Sequence, residues 1–401
     1  MGSVSGGDKV EHSETAQGNA AFGSYLKKVR EGRRLSLDAV EELSAGFPEK
    51  VTKSHLSRIE NGLALPSFPR LMALSHIYGM PIASLAERYE LDLRRGMTPV
   101  DLTGKSDEEV LRDVKSLTAA GRFPEALSVL LGALERGSAV GEPIETTFRL
   151  EVVYCLFQLR RLEFAKSLCE DLLSLPRLSH VDRLRSLQMF VLCCRDLGKH
   201  TVAIMALERI KAELDHPETP RRMAADVSAL RGTTYLLSGE PERSIADLRL
   251  AKQLYDAIPI LVESCRVGMS LSHALILTGH YVEASKALQA ELVVAERNGF
   301  EWLRATGFSH LCVLAYRQRD FEVAESHAIR SNTVARPLEH LQVVFRNCFY
   351  LWKIAEARGD VAAARSNERA LRSMMARMDE QLYEAQEFQK HLAQGDHDAI
   401  R

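Results

Sequence analysis

The residues with the clearest chemical purpose sit together in one short stretch, Thr52-Lys53-Ser54-His55-Leu56-Ser57-Arg58-Ile59-Glu60-Asn61-Gly62, followed by Pro66-Ser67. Lys and Arg suit guanine acceptors, while Ser and His can serve several base edges. Thr52 is a helix cap, and Asn61-Gly62 is a stop that tolerates the left-handed conformation. Between them, helical spacing puts Leu56 and Ile59 on one face and small polar and cationic side chains on the other. That composition suits a helix entering a DNA major groove. Lys53, Ser54, His55, Ser57 and Arg58 are the candidate residues of that edge. Thr52 and the N–H groups of the helix start suit a phosphate. Lys27, Lys28 and Arg30 are candidates for further backbone contacts, and Lys50 for one more phosphate.

Such a helix needs a scaffold, and residues 22–85 predict five short helices. The first runs from about Phe22 to Glu31, with Tyr25, Leu26 and Val29 at helical spacing. Ser36 caps a second carrying Leu37, Val40 and Leu43, ended by Gly46-Phe47-Pro48. Thr52 opens the third. Ser67 caps a fourth with Pro69 in its first turn, and a last turn holds Ile82 and Leu85. The set Leu26-x-x-Val29-Arg30, Leu35-Ser36, Val40, Val51 to Glu60, Asn61-Gly62, Pro66-Ser67, Leu71, Leu74, Gly79 and Leu85 resembles the XRE (Cro/C1-type) helix-turn-helix family. The resemblance implies a lambda-repressor-like fold with Thr52–Glu60 as recognition helix, which would set Lys53, Ser54 and His55 at base edges and Ser57 and Arg58 at bases or phosphates. It also implies that Glu60 pairs inside the fold and not with DNA. Two departures stand out. Leu37 replaces the family's usual Gln, and the link between helices two and three is about four residues longer, including Phe47-Pro48-Glu49-Lys50. The alternative is the same fold used for protein contacts.

The whole chain carries a net charge of −2, so nucleic-acid binding must be local. Segment 20–86 holds nine Lys/Arg against six Asp/Glu, with Lys27, Lys28, Arg30, Arg33 and Arg34 grouped. All seven cysteines lie beyond residue 150 with no C-x-x-C spacing, which points to buried reduced thiols in a cytoplasmic protein. The adjacent Cys193-Cys194 pair leaves oxidant sensing open. No apolar run is long enough to span a bilayer. Residues 1–20 are expected to be a disordered lead-in, 21–90 the DNA-binding domain and 91–104 a linker.

Beyond residue 100 the chain repeats. Gly121-Arg122-Phe123-Pro124-Glu125-Ala126 recurs at Arg160…Ala165, Gly198…Ala203, Gly239…Ser244, Gly279…Ala284, Arg319…Ala324 and Gly359…Ala364. The small closing residue allows two helices to approach, and the Gly or Arg ahead of it belongs in the turn between them. With Gly232 and Tyr235, this resembles the tetratricopeptide family. It implies an all-α fold in which about seven helix pairs, over 105–375, stack into a solenoid. A generic helical repeat of the armadillo kind is the alternative. Residues 376–401 are expected to be a capping helix and tail, with a helix from about Met374 to His391 carrying Met378, Leu382, Ala385, Phe388 and Leu392.

A solenoid of this kind has a concave face lined by the first helix of each pair. Inward positions include Arg185, Gln188, Arg195, Asp226, Thr233, Arg266, His273, Tyr316, Arg346, Lys353 and Glu356. The excess of cations favours an extended peptide carrying carboxylates. Ordinary solvated charge is the other reading. Tyr154, Phe157, Phe349 and Trp352 read as core. No nucleotide-binding, zinc-protease or serine-hydrolase motif occurs, so no cofactor, metal or enzymatic activity is expected.

An XRE head joined to a tetratricopeptide solenoid is the layout of the quorum-sensing peptide receptors of Gram-positive bacteria, the RRNPP group. The resemblance implies a homodimeric regulator of a double-stranded operator, with a peptide or protein effector in the groove. A protein-interaction hub and an effector-independent repressor remain as alternatives.

Overall fold

The computed structural model describes residues 11–97, 102–136, 143–258, 260–378 and 382–399. Among them every regular element is helical. The head comprises α1 (Glu11–Gly32), α2 (Leu37–Leu43), α3 (Lys53–Glu60), α4 (Phe68–Ile77) and α5 (Ile82–Met97), with a 3-10 turn at Ser44–Gly46. Three starts are fixed by hydroxyl caps: Ser36 accepts from Ala39 N–H, Thr52 from His55 N–H and Ser67 from Arg70 N–H. Phe22, Leu26, Val40, Val51, Leu56, Ile59, Leu74 and Leu85 form its core, each at most 1% exposed.

Two expectations about the head need correction. α1 begins at Glu11, so residues 11–20 are helical and not a disordered lead-in; residues 1–10 lie outside the described residues. The last turn around Ile82 and Leu85 is the start of a longer helix that runs through the expected linker to Met97. Its sequence, Ile82-Ala-Ser-Leu-Ala-Glu-Arg-Tyr-Glu-Leu-Asp-Leu-Arg-Arg, has no helix breaker before Gly96.

The repeats are seven helix pairs: α6 (Asp107–Ala119) with α7 (Phe123–Glu135), α8 (Pro143–Gln158) with α9 (Leu162–Leu173), and α10 (His180–Asp196) with α11 (His200–Lys211). Then come α12 (Arg221–Leu237) with α13 (Pro241–Asp256), α14 (Leu261–Leu277) with α15 (Tyr281–Arg297), α16 (Glu301–Arg317) with α17 (Phe321–Ala335), and α18 (Leu341–Arg358) with α19 (Val361–Met375). The repeated motif marks each hairpin. Ala126, Ala165, Ala203, Ser244, Ala284 and Ala324 are fully buried, and Ala364 is half-buried. The preceding turn residue is left-handed in all seven: Gly121, Gly198, Gly239, Gly279 and Gly359 at φ between 71° and 81°, and Arg160 and Arg319 at 60° and 64°. Arginine there carries the Cβ clash that glycine avoids.

The chain divides into two compact units, 1–193 and 194–401, with the head and the first repeats in the first of them. In the second unit the first helices α12, α14, α16 and α18 contact one another in sequence and form an inner row. That row ends on α20 (Tyr383–Ala399). The single helix expected from Met374 to His391 is broken. α19 stops at Met375, and Met378 and Leu382 lie in the connection. A continuous helix would carry Phe388 about 20 Å past the end of α19 at 1.5 Å per residue. The break instead lets Phe388 fold back edge-on against Phe345 (6.3 Å) and Trp352 (5.5 Å) of α18.

Candidate functional site

α3 is amphipathic as its sequence demands. Leu56 and Ile59 are buried, while Lys53, Ser54 and Arg58 are exposed and His55 and Ser57 are half-exposed. α1 crosses so close beneath it that a Cβ on Gly23 would lie 2.2 Å from the Ile59 carbonyl oxygen. Beneath the same helix Arg30 makes a two-pronged ion pair with Glu60, at 2.7 and 2.8 Å, and donates to the Leu35 carbonyl at 2.9 Å. Arg30 is 8% exposed and Glu60 6%. Arg30 is therefore a structural strut, not a phosphate ligand, because its whole fork is committed inside the fold. Glu60 pairs internally, as the family resemblance implies.

The exposed cations are not bare either. Lys53 Nζ lies 2.8 Å from Asp38, and Lys50 Nζ lies 2.9 Å from Glu41. Glu41 also accepts the Lys53 N–H at 2.6 Å, so a carboxylate already occupies the start of α3, where a phosphate was expected. The Lys53 amide and the Lys50 ammonium together hold the Glu41 carboxyl below its ordinary range. His55 Nε2 accepts from Arg70 at 3.0 Å, and Arg70 in turn pairs with Glu49 at 2.9 Å. Burial, with Arg70 and Arg58 nearby, depresses the His55 pKa, so His55 is neutral at neutral pH. Ser54 sits 3.4 Å from the Thr52 hydroxyl. Among the described residues the Arg58 side chain makes no ion pair or hydrogen bond, while its carbonyl accepts the Leu63 N–H at 2.8 Å.

The longer link between α2 and α3 is pinned, not loose. The Ser44 hydroxyl accepts the Val51 N–H at 3.0 Å and lies 3.3 Å from its carbonyl, which seats Val51 in the core. Sequence reasoning missed Arg70, Asp38, Glu41 and Gly23. The two acids were legible as charges but not as partners, since α2 and α3 meet only through the fold.

On its other side the head rests on α9. The Arg88 guanidinium lies between the rings of Tyr25 and Phe164, at 4.5 and 5.4 Å from their centroids, and Arg161 pairs with Glu90 at 2.7 Å. Burial raises the Asp171 carboxyl, opposed by Arg88, Arg149 and Lys28. Lys28, exposed and expected at a phosphate, thus feels a carboxylate within the chain, whereas Lys27 is plainly exposed.

The inner-row residues divide. Arg185 pairs with Asp182, Arg266 with Glu263 and Lys353 with Glu356, at 3.9, 2.8 and 3.2 Å, each within its own helix. Arg195 takes its neighbour Asp196 at 2.8 Å. The excess of cations read from sequence is therefore neutralised at these positions. His273, Tyr316 and Arg346 do gather, around residues that sequence reasoning passed over. His273 stacks on His310 (4.6 Å, 13°), His310 Nε2 is 3.4 Å from Arg346 Nη1, and Arg346 donates to Glu384 at 3.1 Å. Tyr316 packs edge-on to Tyr350 at 5.0 Å. His273, His310 and Arg346 each stand about one repeat from the next, which is the signal that could have found His310. Burial and the nearby Arg346 and Arg317 push the His273 pKa down to about 3, and His310 is depressed as well.

All seven cysteines are free and buried, and burial pushes the Cys155, Cys265 and Cys312 thiols up to about 12. No group of residues among those described could hold a metal, and no described helix is long and apolar enough to cross a membrane.

A helix-turn-helix head on a stack of paired helices is thus the class of protein that fold and site define. Residues 21–88 match the helix-turn-helix domain family. Among solved structures, the fold is that of Rap proteins. One, complexed with competence and sporulation factor, is 14% identical with a TM-score of 0.54, over 90% of this chain and 99% of that one. Apo RapI is 13% identical with a TM-score of 0.51, over 69% and 78%. PlcR of Bacillus thuringiensis, in complex with the peptide PapR7 and DNA, is 16% identical with a TM-score of 0.43, over 70% and 96%. No curated protein matches the sequence.

Proposed function

We propose that this chain is a sequence-specific DNA-binding transcription regulator whose repeat region senses an effector. The observation that carries the reading is α3, whose polar edge, Lys53, Ser54 and Arg58, faces solvent while Leu56, Ile59 and Glu60 anchor it from below. Lys53, and Lys50 just ahead of the helix, sit in exposed ion pairs worth about 0–1 kcal/mol each, which a phosphate can displace. Arg58, unpaired among the described residues, is the first choice for a base edge. Lys53, Ser54 and Ser57 follow, while His55 in its neutral form acts with Arg70. The expected assembly is a homodimer placing two α3 helices about one helical turn apart on a two-fold operator. The sequence resemblance to peptide receptors makes a short peptide the effector, and the Rap protein that shares the repeat fold holds a factor of its own. An effector shifts DNA binding only if it prefers one of two states.

Gel retardation of promoter fragments is the test. Arg58→Ala and Lys53→Ala should each weaken specific binding by about 1–3 kcal/mol, while Lys27→Ala weakens all sequences alike. Equal loss on every sequence for the α3 variants would refute base contact there. Retardation of no fragment at all would favour a head used for protein contacts.

A further inference from the structure

The polar ladder of the inner row ends on an element that is not a repeat. Arg346 on α18 is held by Glu384 of α20, and their side chains are 13% and 3% exposed. The paired cations Arg266 and Lys353 of the same row take acids from their own helix. Arg346 alone among these is answered from the terminal helix. A buried guanidinium requires an anion, since an uncompensated charge in that position is strongly unfavourable. His273, His310, His340, Cys312 and Tyr350 lie within its electrostatic reach and supply no negative charge of their own. Whatever sits there in place of Glu384 must bring an anion, and on a peptide that is a carboxylate.

We propose that α20 is an internal occupant: the Glu384 carboxylate fills the place on Arg346 that a peptide carboxylate takes, so that effector binding and α20 docking exclude one another. The inference rests on the effector reading above and names the regulation of that site. α20 is built to leave. It is a helix of its own, starting at Tyr383 after α19 has ended at Met375, and its buried anchor Phe388 seats against Phe345 and Trp352 of α18. Release also carries its own signal. The Trp352 ring lies 5.5 Å from Phe388 and 4.6 Å from His391, so undocking α20 exposes Trp352 to water.

The test uses the full chain carrying Trp302→Phe, which leaves Trp352 as the one fluorophore of its kind. Three pools of random heptapeptides are titrated: free C-termini without Asp or Glu, amidated with Asp and Glu, and amidated without them. A carboxylate pool should red-shift Trp352 and speed amide exchange across 383–393. Which of the first two acts tells a terminal carboxylate from a side-chain one. In Glu384→Gln, exchange across α20 should rise on the order of tenfold without peptide, with α14 and α18 still protected, and less peptide should be needed. Arg346→Gln should abolish the peptide response. Unchanged α20 exchange in Glu384→Gln, or equal action by the pool without carboxylates, would overturn the proposal. Peptides that alter operator retardation without moving Trp352 would overturn it while sparing the effector reading. Retardation indifferent to every pool would count against the effector reading itself.

Discussion

Two cation clusters in this molecule are handled in opposite ways. Around α3 the pairs are short but open to water: Lys53 and Asp38 are 54% and 70% exposed at the side chain, Lys50 and Glu41 47% and 31%. At the end of the inner row Arg346 and Glu384 are 13% and 3% exposed. Exposed pairs are screened and weak, so an incoming phosphate replaces one partner at little loss. A buried pair cannot be opened without a substitute anion. The head is thus suited to rapid exchange of partners. The inner row is suited to a change between two closed states.

The comparison breaks first at the head's own buried pair. Arg30 and Glu60 lie as deep as Arg346 and Glu384 yet join two helices of one small core. Glu60→Ala should cost the head about 3–5 kcal/mol, read by chemical denaturation and by amide exchange in α1 and α3. Arg58→Ala should leave both unchanged while weakening specific DNA binding by about 1–3 kcal/mol. If Glu60→Ala leaves α1 and α3 protected, burial of the pair is not what holds the head.

Acid should separate the two regions next. The folded pKa values of His273 and His310 lie below the ordinary value of 6.5, so the unfolded chain binds these protons first. Stability in the second unit is full above about pH 6.5 and falls as pH drops toward 3, by up to about 1.4 kcal/mol per pH unit for each imidazole. Glu291, whose carboxyl is raised by burial, works in the opposite direction. A His273→Gln, His310→Gln double variant should lose much of that acid slope. An unaltered slope would assign it to other groups.

How much of this was legible follows from range. The caps at Ser36, Thr52 and Ser67 and the seven hairpins are local signals, and each appears where its residues stand. The pairing of Glu60 came with the resemblance, but that of Arg30 did not, because nothing around residue 30 names a partner thirty positions on. His273, Tyr316 and Arg346, named from the repeat period, lie on the successive first helices α14, α16 and α18. The neutralisation of Arg346 is not legible in the sequence, since Glu384 lies on a helix whose return over α18 depends on the break after Met375. Gly23 looked like any helical glycine until α3 was laid across it.

Where Arg160 and Arg319 replace the glycine of the repeat turn, substitution tests a purely local reading. Arg160→Gly and Arg319→Gly should each raise stability, by about 0.5–1 kcal/mol in thermal or urea denaturation, by relieving a left-handed Cβ clash. No gain would mean that the arginine side chains contribute as much as the strain takes away.

The smallest expected effect probes the exposed pairs directly. Glu41 accepts the first amide of α3 and holds Lys50, so it stands where a phosphate oxygen belongs. Glu41→Gln keeps the size of the side chain and removes its charge. Both the helix start and Lys50 then turn toward DNA without competition. Affinity should rise roughly threefold at low salt, about equally on all sequences, because the gain is phosphate contact and not base reading. The dependence of log affinity on log salt should steepen by about one contact. Unchanged affinity and slope would show that Glu41 stays in place when DNA is bound. The carboxylate would then belong to the frame that orients α3, as Glu60 does from beneath, and the contrast between open and closed cation clusters would have to be redrawn around Lys53 and Asp38 alone.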